Sequence, residues 1–168
     1  VDPNMIEKAY ALGVPMGGDL TTQNNAPQRP SFIVSAMKDP EGANLDRIQI
    51  VKGWINKDGS RSEKVFNVAW SDNRTMDDNT GDIPDLASTV NAATATYTNT
   101  VGSADLSALW TDPSFDASNP AVYYVRVLEI ETPRWTTYDA ARFGVELPKD
   151  VPMAIKERAY TSPIWYTP

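Results

Sequence analysis

The sequence contains neither cysteine nor histidine. Without cysteine the chain cannot form a disulfide, a thiolate metal site or a thiol nucleophile. Without histidine it has no imidazole base, which excludes a Ser-His-Asp triad and the common kinds of zinc site. Any chemistry that this chain carries out must therefore use carboxylates, lysine, tyrosine or hydroxyl groups, or a hard metal such as calcium.

Long apolar runs and clusters of basic residues are also scarce. No apolar stretch approaches the roughly 20 residues that a membrane-spanning helix needs. The 15 Lys and Arg residues are scattered and the formal net charge is -7, whereas binding to a phosphate backbone needs clustered positive charge. We therefore expect no membrane span and no nucleic-acid partner.

What the chain does contain is a series of short segments with two-residue alternation, typical of strands in a mainly β domain. The 168 residues, 41% of them hydrophobic, are enough for a substantial core. About seven short strands with turn-rich connections predict an immunoglobulin-like β-sandwich. The predicted strands are residues 31–39, 45–55, 63–70, 93–100, 104–110 and 121–130, with further strand material at 153–160 and 163–167.

The clearest local prediction is a hairpin around Asp58-Gly59, a dipeptide that favours tight turns. The strand before it places Ile48, Ile50 and Trp54 on one face. The strand after it places apolar residues at every second position, and these are Phe66, Val68 and Trp70. Both patterns indicate strands that bury one face.

Two short helices are predicted, near residues 3–12 and 136–143. Asp2 and Pro3 suit the start of the first, and Gly13 suits its end. Thr136 is the predicted N-cap of the second, and Gly144 its C-terminal stop. The Gly- and Asn-rich residues 16–30 predict a loop.

The polar loop at residues 71–85 contains candidate calcium ligands, namely Asp77, Asn79 and Asp82. Dense oxygen ligands in a loop can hold calcium. The spacing does not match an EF-hand, and Asp and Asn are also ordinary residues of surface turns. Calcium binding and a plain turn both remain open.

Carboxylates offer a second chemical possibility. Glu129 with Glu131 or Asp112 could form the acid pair of a glycoside hydrolase. The sequence does not place two carboxyl groups at a catalytic separation, and a charged strand end explains the same residues. A self-contained carboxylate hydrolase is therefore an alternative to a domain without catalytic residues.

Aromatic residues are the most distinctive candidates for binding. Trp54, Trp70 and Trp110 lie on the apolar side of their strands, which favours the core. The candidates for ligand binding or for a domain interface are Arg134, Trp135, Tyr138 and Trp165.

The aromatic segment at residues 157–168, "ERAYTSPIWYTP", is unusual because chain ends are commonly frayed and polar. Pro163 excludes a continuous helix and removes one ladder hydrogen bond, which predicts an edge strand or a two-part strand. We expect its aromatic residues to pack against the sandwich or against a further domain, as a structural clasp.

Several long motifs resemble one bacterial family, the uncharacterised domain of unknown function 3604. The motifs are "LDRIQIVKGWINKDG", "ATYTNTVG", "LWTDPSFD", "YYVRVLEIETPRWTTYDAARFGV" and "ERAYTSPIWYTP", and the resemblance covers nearly the whole chain. Members are similar to the polymerase-and-histidinol-phosphatase (PHP) metallohydrolases, whose metal-binding motifs fall on no position here. The resemblance implies a C-terminal β domain of a longer protein whose upstream domain is catalytic and uses a divalent metal.

The resemblance also shapes the remaining expectations. Residues 1–30 would be a helix and loop leading from a missing upstream domain, and residues 31–168 the β-sandwich. The expected function is that of a non-catalytic domain that packs on the catalytic domain of the same polypeptide, without a cofactor of its own. A carbohydrate- or ligand-binding module using exposed Trp and Tyr is the alternative. A periplasmic or secreted location in bacteria is favoured.

Overall fold

A computed structural model describes residues 4–21 and 29–168. It contains two short helices and eight strands. The helices are α1 (Met5–Leu12) and α2 (Trp135–Phe143). The strands are β1 (Asp19–Thr21), β2 (Ser31–Met37), β3 (Leu45–Ile55), β4 (Arg61–Trp70), β5 (Asp105–Thr111), β6 (Ala121–Pro133), β7 (Ala154–Tyr160) and β8 (Ile164–Thr167).

The strands form two sheets, so the mainly β, sandwich-like prediction is confirmed. The larger sheet has six strands. Five follow the order β1-β8-β6-β3-β4, and the sixth, β7, pairs with the part of β6 that β8 does not reach. The smaller sheet is the antiparallel pair β2 and β5. All pairs in the larger sheet are antiparallel except β1 with β8, which is parallel.

The hydrophobic core lies between the two sheets. We call the face of the larger sheet that points toward β2 and β5 the inner face. Ile48, Ile50 and Tyr123 are almost fully buried there, and Phe32 of β2 packs against them. The rings of Phe32 and Tyr123 have centroids 4.7 Å apart, a tilted contact of the kind that aromatic pairs favour. Burial of alternate residues from both sheets is what holds them together.

The hairpin prediction is confirmed, but a bulge changes one face assignment. Gly59 takes a positive φ of 82° in the turn between β3 and β4. The register shifts where Ile48 faces Ala69 and Gln49 faces Asn67, so Val68 is an extra residue. A bulge reverses the side-chain alternation beyond it. Trp70 therefore points to the opposite face from Phe66, and the prediction that both share one side is wrong.

Helix α1 confirms its predicted C-terminal stop, because Gly13 is the C-cap and its N–H binds the Ala9 carbonyl oxygen. The predicted start at Asp2 and Pro3 lies outside the described residues. The C-cap prediction for α2 is also confirmed, since Gly144 adopts the left-handed conformation with φ 65°.

The predicted N-cap of α2 is wrong. Helix α2 begins at Trp135, one residue before Thr136, and Arg134 occupies the N-cap position without a side-chain hydrogen bond. The Thr136 hydroxyl is buried and has no partner among the described residues. The neighbouring Thr137 hydroxyl donates to the Met153 carbonyl oxygen at 2.7 Å. That bond connects α2 to the segment before β7.

The predicted strand at residues 93–100 is also wrong. The chain turns there, and Asn91 forms an isolated bridge with Thr96. The Asn91 side-chain oxygen accepts the N–H groups of Ala93 and Thr94, and Ala95 takes a positive φ of 49°. Side-chain bonds to the nearby backbone compete with strand ladders. The alternating threonines therefore lie in a turn and not in a strand of a sheet.

The segment at residues 16–30 was predicted as a loop, but part of it is β1. Asp19–Thr21 pair in parallel with Trp165, Tyr166 and Thr167 of β8. The Trp165 N–H also donates to the Gly18 carbonyl oxygen at 3.1 Å. Residues 22–28 lie outside the described residues.

The two-part strand predicted for the aromatic segment is confirmed. Strand β7 pairs with residues 126–133 of β6, and β8 pairs with Ala121–Tyr123 of the same strand. Pro163 lies in the break between them. Strand β8 is not at the edge, because β1 covers its other side. The two halves together follow β6 along most of its length.

Candidate functional site

The larger sheet has a second face, which points away from the core and which we call the outer face. Side chains that face each other across paired strands lie on the same side of a sheet. Tyr124 and Arg126 of β6 alternate with core residues, and their cross-strand neighbours share the outer face with them. One half of this face is covered by residues 71–85, which we call the covering loop, and the other half is not.

The covered half contains a cluster of five charged residues, which we call the Asp46 cluster. Asp46 is fully buried at the start of β3. Its Oδ1 accepts from Arg74 at 2.6 Å and from Arg47 at 3.1 Å, and its Oδ2 accepts from Lys156 at 3.0 Å. Asp85 completes the cluster, because it accepts from Arg47 at 2.9 Å and from Lys156 at 2.7 Å.

The Asp46 cluster attaches the covering loop to the sheet. Burial opposes ionisation of the Asp46 carboxyl, but hydrogen bonds from its three cationic neighbours outweigh burial and hold its pKa below the usual 3.8. The Trp70 indole N–H donates to the Arg74 carbonyl oxygen at 2.7 Å, and Ile83 of the covering loop is buried. These contacts explain why this half of the outer face is closed.

The uncovered half carries three aromatic side chains, Trp165, Tyr124 and Tyr160, which we call the aromatic row. Trp165 faces Val122 across β8 and β6, and Tyr160 faces Arg126 across β7 and β6. The rings of Tyr124 and Tyr160 have centroids 6.2 Å apart. Trp165 is 51% exposed and Tyr160 is 56% exposed. Exposed aromatic side chains that share one face are typical of binding surfaces.

A hydrogen-bonded polar row crosses the outer face beside Tyr160. Arg126 Nε donates to Gln49 Oε1 at 2.8 Å, and Gln49 Nε2 donates to Asn67 Oδ1 at 2.8 Å. Asn67 in turn donates to the Gly81 carbonyl oxygen of the covering loop at 2.8 Å. These bonds fix the orientation of each side chain, so the row is a pre-formed surface.

Of the four residues predicted for binding, three lie together and Trp165 lies apart from them. Arg134, Trp135 and Tyr138 lie at the start of α2, directly after β6 ends. Trp165 pairs with Val122 near the start of β6, about 40 Å away along a strand of this length. Trp135 and Tyr138 are 66% and 45% exposed, so α2 presents a second aromatic surface. Tyr124 and Arg126 were not predicted as binding residues, although their strand positions were predicted. Tyr160 was predicted only as one of the aromatic residues that pack in the segment at residues 157–168.

The candidate calcium ligands lie on the covering loop. Asp77 Oδ1 accepts the backbone N–H of Asn79 at 2.8 Å, and the Asp77 N–H donates to the Asp82 carbonyl oxygen at 2.8 Å. These bonds form a turn, and the backbone N–H groups of Asn79 and Thr80 hold the pKa of Asp77 below its usual value. Nowhere in residues 4–21 and 29–168 do three or more acidic side chains gather in a way that could hold a metal ion.

Asp112, a candidate for a catalytic acid pair, lies inside the protein. It is fully buried, its Oδ2 lies 2.6 Å from Lys52 Nζ, and it accepts the Tyr123 hydroxyl at 2.7 Å. Burial opposes its ionisation, but Lys52 and the hydrogen bonds outweigh burial and lower its pKa. By contrast, burial raises the pKa of Glu129, with Glu157 and Asp39 adding to the effect. Because Lys52 and Tyr123 already bind its carboxylate, we assign Asp112 a structural role.

Comparison with known proteins identifies a family without assigning a function. The model of the family described as "Protein of unknown function (DUF3604)" matches residues 1–168, so the chain belongs to this family. No curated protein and no solved structure matches the chain. In the parts of the chain that the structure describes, neither helix is long and apolar enough to cross a membrane.

Proposed function

We propose that this chain is a non-catalytic β-sandwich domain of a larger PHP-like, metal-dependent hydrolase and that it packs on the catalytic domain of the same polypeptide. The absence of His and Cys from the sequence supports this role, because the common metal and nucleophile sites need them. The mainly antiparallel pairing in the two sheets is consistent with an immunoglobulin-like sandwich. Any divalent metal would then belong to the catalytic domain.

The observation that carries the proposal is the exposure of apolar side chains on both helices. Ile6 and Tyr10, one helical turn apart on α1, are 71% and 69% exposed, and Leu12 is 88% exposed. On α2, Trp135 and Phe143 are also largely exposed. A helix as short as α1 is marginal in water unless it packs against something. Apolar surfaces of this kind mark contacts with another protein surface.

Hydrogen exchange tests this proposal on two chains, the 168-residue chain and a version extended by the region that precedes it in the gene. We expect the amides of α1 and α2 to exchange quickly in the short chain and to be protected in the extended chain. Amides of β3 should be equally slow in both chains and serve as the control. Equal exchange of α1 in both chains would contradict packing, and metal-dependent turnover by the short chain would contradict a non-catalytic role.

A second function is favoured by the aromatic row. Trp165, Tyr124 and Tyr160 share one uncovered sheet face with a fixed polar row, an arrangement suited to binding a ligand that has both flat apolar faces and hydroxyl groups. We propose ligand or carbohydrate binding as the second candidate. It is compatible with the first, because the helices and the aromatic row are different surfaces.

A further inference from the structure

We propose that the uncovered half of the outer face binds an extended, uncharged glycan, with sugar rings stacked on Trp165, Tyr124 and Tyr160 and hydroxyl groups bound by Arg126. The proposal rests on the second function above and specifies its site and its ligand. Four observations carry it: the spacing of the rings, the shape of the surface between them, the fixed polar row and the balance of charge.

The aromatic row is long enough for several sugar rings. Trp165 is level with Val122, and Tyr160 is level with Arg126, four residues further along β6. Four residues of strand span about 13 Å. Tyr124, which is half-buried, lies between the two levels, so the three rings follow one another along the strand. A ligand that contacts all three must be an extended chain rather than a single sugar.

The surface beside the aromatic row is low. Gly53 of β3 faces Val122 of β6 and Glu63 of β4, so the middle of that level has no side chain. A Cβ atom at Gly53 would lie 3.2 Å from Val122 Cγ1, which shows how closely the two strands pack there. The next level contains Val51, which is 2% exposed and is therefore covered by its neighbours. A ligand ring can therefore approach the sheet closely at the level of Gly53, which is also the level of Trp165.

Arg126 supplies directed hydrogen-bond donors at one end of the aromatic row. Its Nε is held by Gln49 Oε1 at 2.8 Å, which fixes the plane of the guanidinium group. Its two terminal nitrogens make no hydrogen bond to any residue within 4–21 or 29–168. An arginine held in one orientation loses little entropy when it binds a ligand. These nitrogens are suited to ligand hydroxyl oxygens beside the Tyr160 ring.

The charges on this face favour an uncharged ligand. Arg126 and Arg158 lie near Tyr160, whereas Asp19 faces Trp165. Glu63 lies on the same level as Trp165, three strands away. Both signs are therefore present, and the net charge of the chain is -7. A polyanion would be repelled by the chain as a whole. Hydroxyl groups can donate to the acidic residues and accept from the arginines, so a neutral glycan suits both ends.

Isothermal titration of the 168-residue chain tests the site with cellohexaose and chitohexaose, and hexagalacturonate is the acidic comparison. We expect a neutral hexasaccharide to bind, and we expect Trp165→Ser and Tyr160→Ser each to weaken that binding about tenfold or more. Arg126→Lys keeps the positive charge but removes the planar guanidinium group that Gln49 holds in place. This substitution should weaken binding by a smaller factor. Trp135→Ser is the matched control, because Trp135 is at least as exposed as Trp165 but lies on α2.

Four outcomes would overturn the proposal. The first is the absence of any heat of binding for either neutral glycan at millimolar concentration, and the second is an equal loss of glycan affinity in Trp165→Ser and Trp135→Ser. The third is binding of hexagalacturonate as tight as that of the neutral glycans. The fourth is self-association of the chain that Trp165→Ser abolishes. The last outcome would show that a second copy of the chain occupies the face. None of the four bears on the packing of α1 and α2, so the first proposed function would stand or fall separately.

Discussion

The two faces of the larger sheet are built from the same strands but serve different purposes. Inner-face side chains such as Ile48, Ile50 and Tyr123 are almost completely buried and hold the two sheets together. Outer-face side chains follow the same alternation, yet only half of them are covered, and Trp165 and Tyr160 remain more than half exposed. The comparison shows that alternation places a residue on a face but does not decide whether that face is covered.

Removal of β8 should cause the largest loss of stability, because that strand contributes side chains to both faces of the larger sheet. Deleting residues 163–168 removes Tyr166, which is 3% exposed and donates to the Ala117 carbonyl oxygen at 2.9 Å, and leaves β1 without its partner. Loss of one buried aromatic side chain costs about 3–5 kcal/mol. We expect the melting temperature to fall by about 10 °C or more. An unchanged thermal unfolding curve would contradict the clasp interpretation.

The covered half of the outer face depends on the Asp46 cluster. Asp46→Asn would leave three cations around a neutral side chain, and breaking a buried ion pair in this way costs about 3–5 kcal/mol. Urea unfolding measures the loss. Asp85→Asn is the control, because the Asp85 side chain is 75% exposed and its loss should cost less than about 1 kcal/mol. Equal effects of the two substitutions would contradict the central role assigned to Asp46.

A polar contact on the inner face provides a smaller test. Tyr123→Phe keeps the ring but removes the hydroxyl that donates to Asp112 at 2.7 Å. A hydrogen bond to a charged group contributes about 1.5–3 kcal/mol, so we expect a loss of that size in urea unfolding. The ring contact with Phe32 should survive, because the substitution leaves the ring itself in place. A loss below 0.5 kcal/mol, on the order of a surface substitution, would contradict the role of this bond.

Both buried aspartates also predict how stability depends on pH. The pKa values of Asp46 and Asp112 are lowered in the folded protein, so their contribution is fully present above the unfolded value of 3.8. It is lost as the pH falls through the lower folded values. We expect the melting temperature to fall steeply below about pH 4, and to fall less steeply in Asp46→Asn than in the wild type. Parallel acid profiles for the two proteins would contradict this linkage.

The sequence predicts a structural feature well when the residues that determine that feature are close together in the chain. Alternation and the Asp58-Gly59 turn identify β3 and β4 because each signal lies within a few residues. The Asp46 cluster could not be found this way, because Lys156 is 110 residues from Asp46 in the chain. The bulge at Val68 was missed for a similar reason. It is defined by the register against β3, which moves Trp70 to the outer face.

The candidate site was predicted only in part. Trp165 was identified because tryptophan in an alternating segment is conspicuous, but its partners are set by sheet order. Tyr124 and Tyr160 become neighbours only because β7 pairs with β6. The prediction of a strand at residues 93–100 was wrong because threonine hydroxyl groups also form hydrogen bonds within turns. The bond between the Thr94 and Thr96 hydroxyl groups at 2.8 Å is an example.

The most direct test of the difference between the faces compares two adjacent residues in β8. Trp165 points to the outer face and is 51% exposed, whereas Tyr166 points to the inner face and is 3% exposed. Urea unfolding of Trp165→Ser should show a loss of about 1 kcal/mol, because about half of this side chain is already exposed. The same measurement on Tyr166→Ser should show a loss of about 3–5 kcal/mol. Similar losses for both variants would contradict the account, because the outer aromatic row would then be part of the stabilising core.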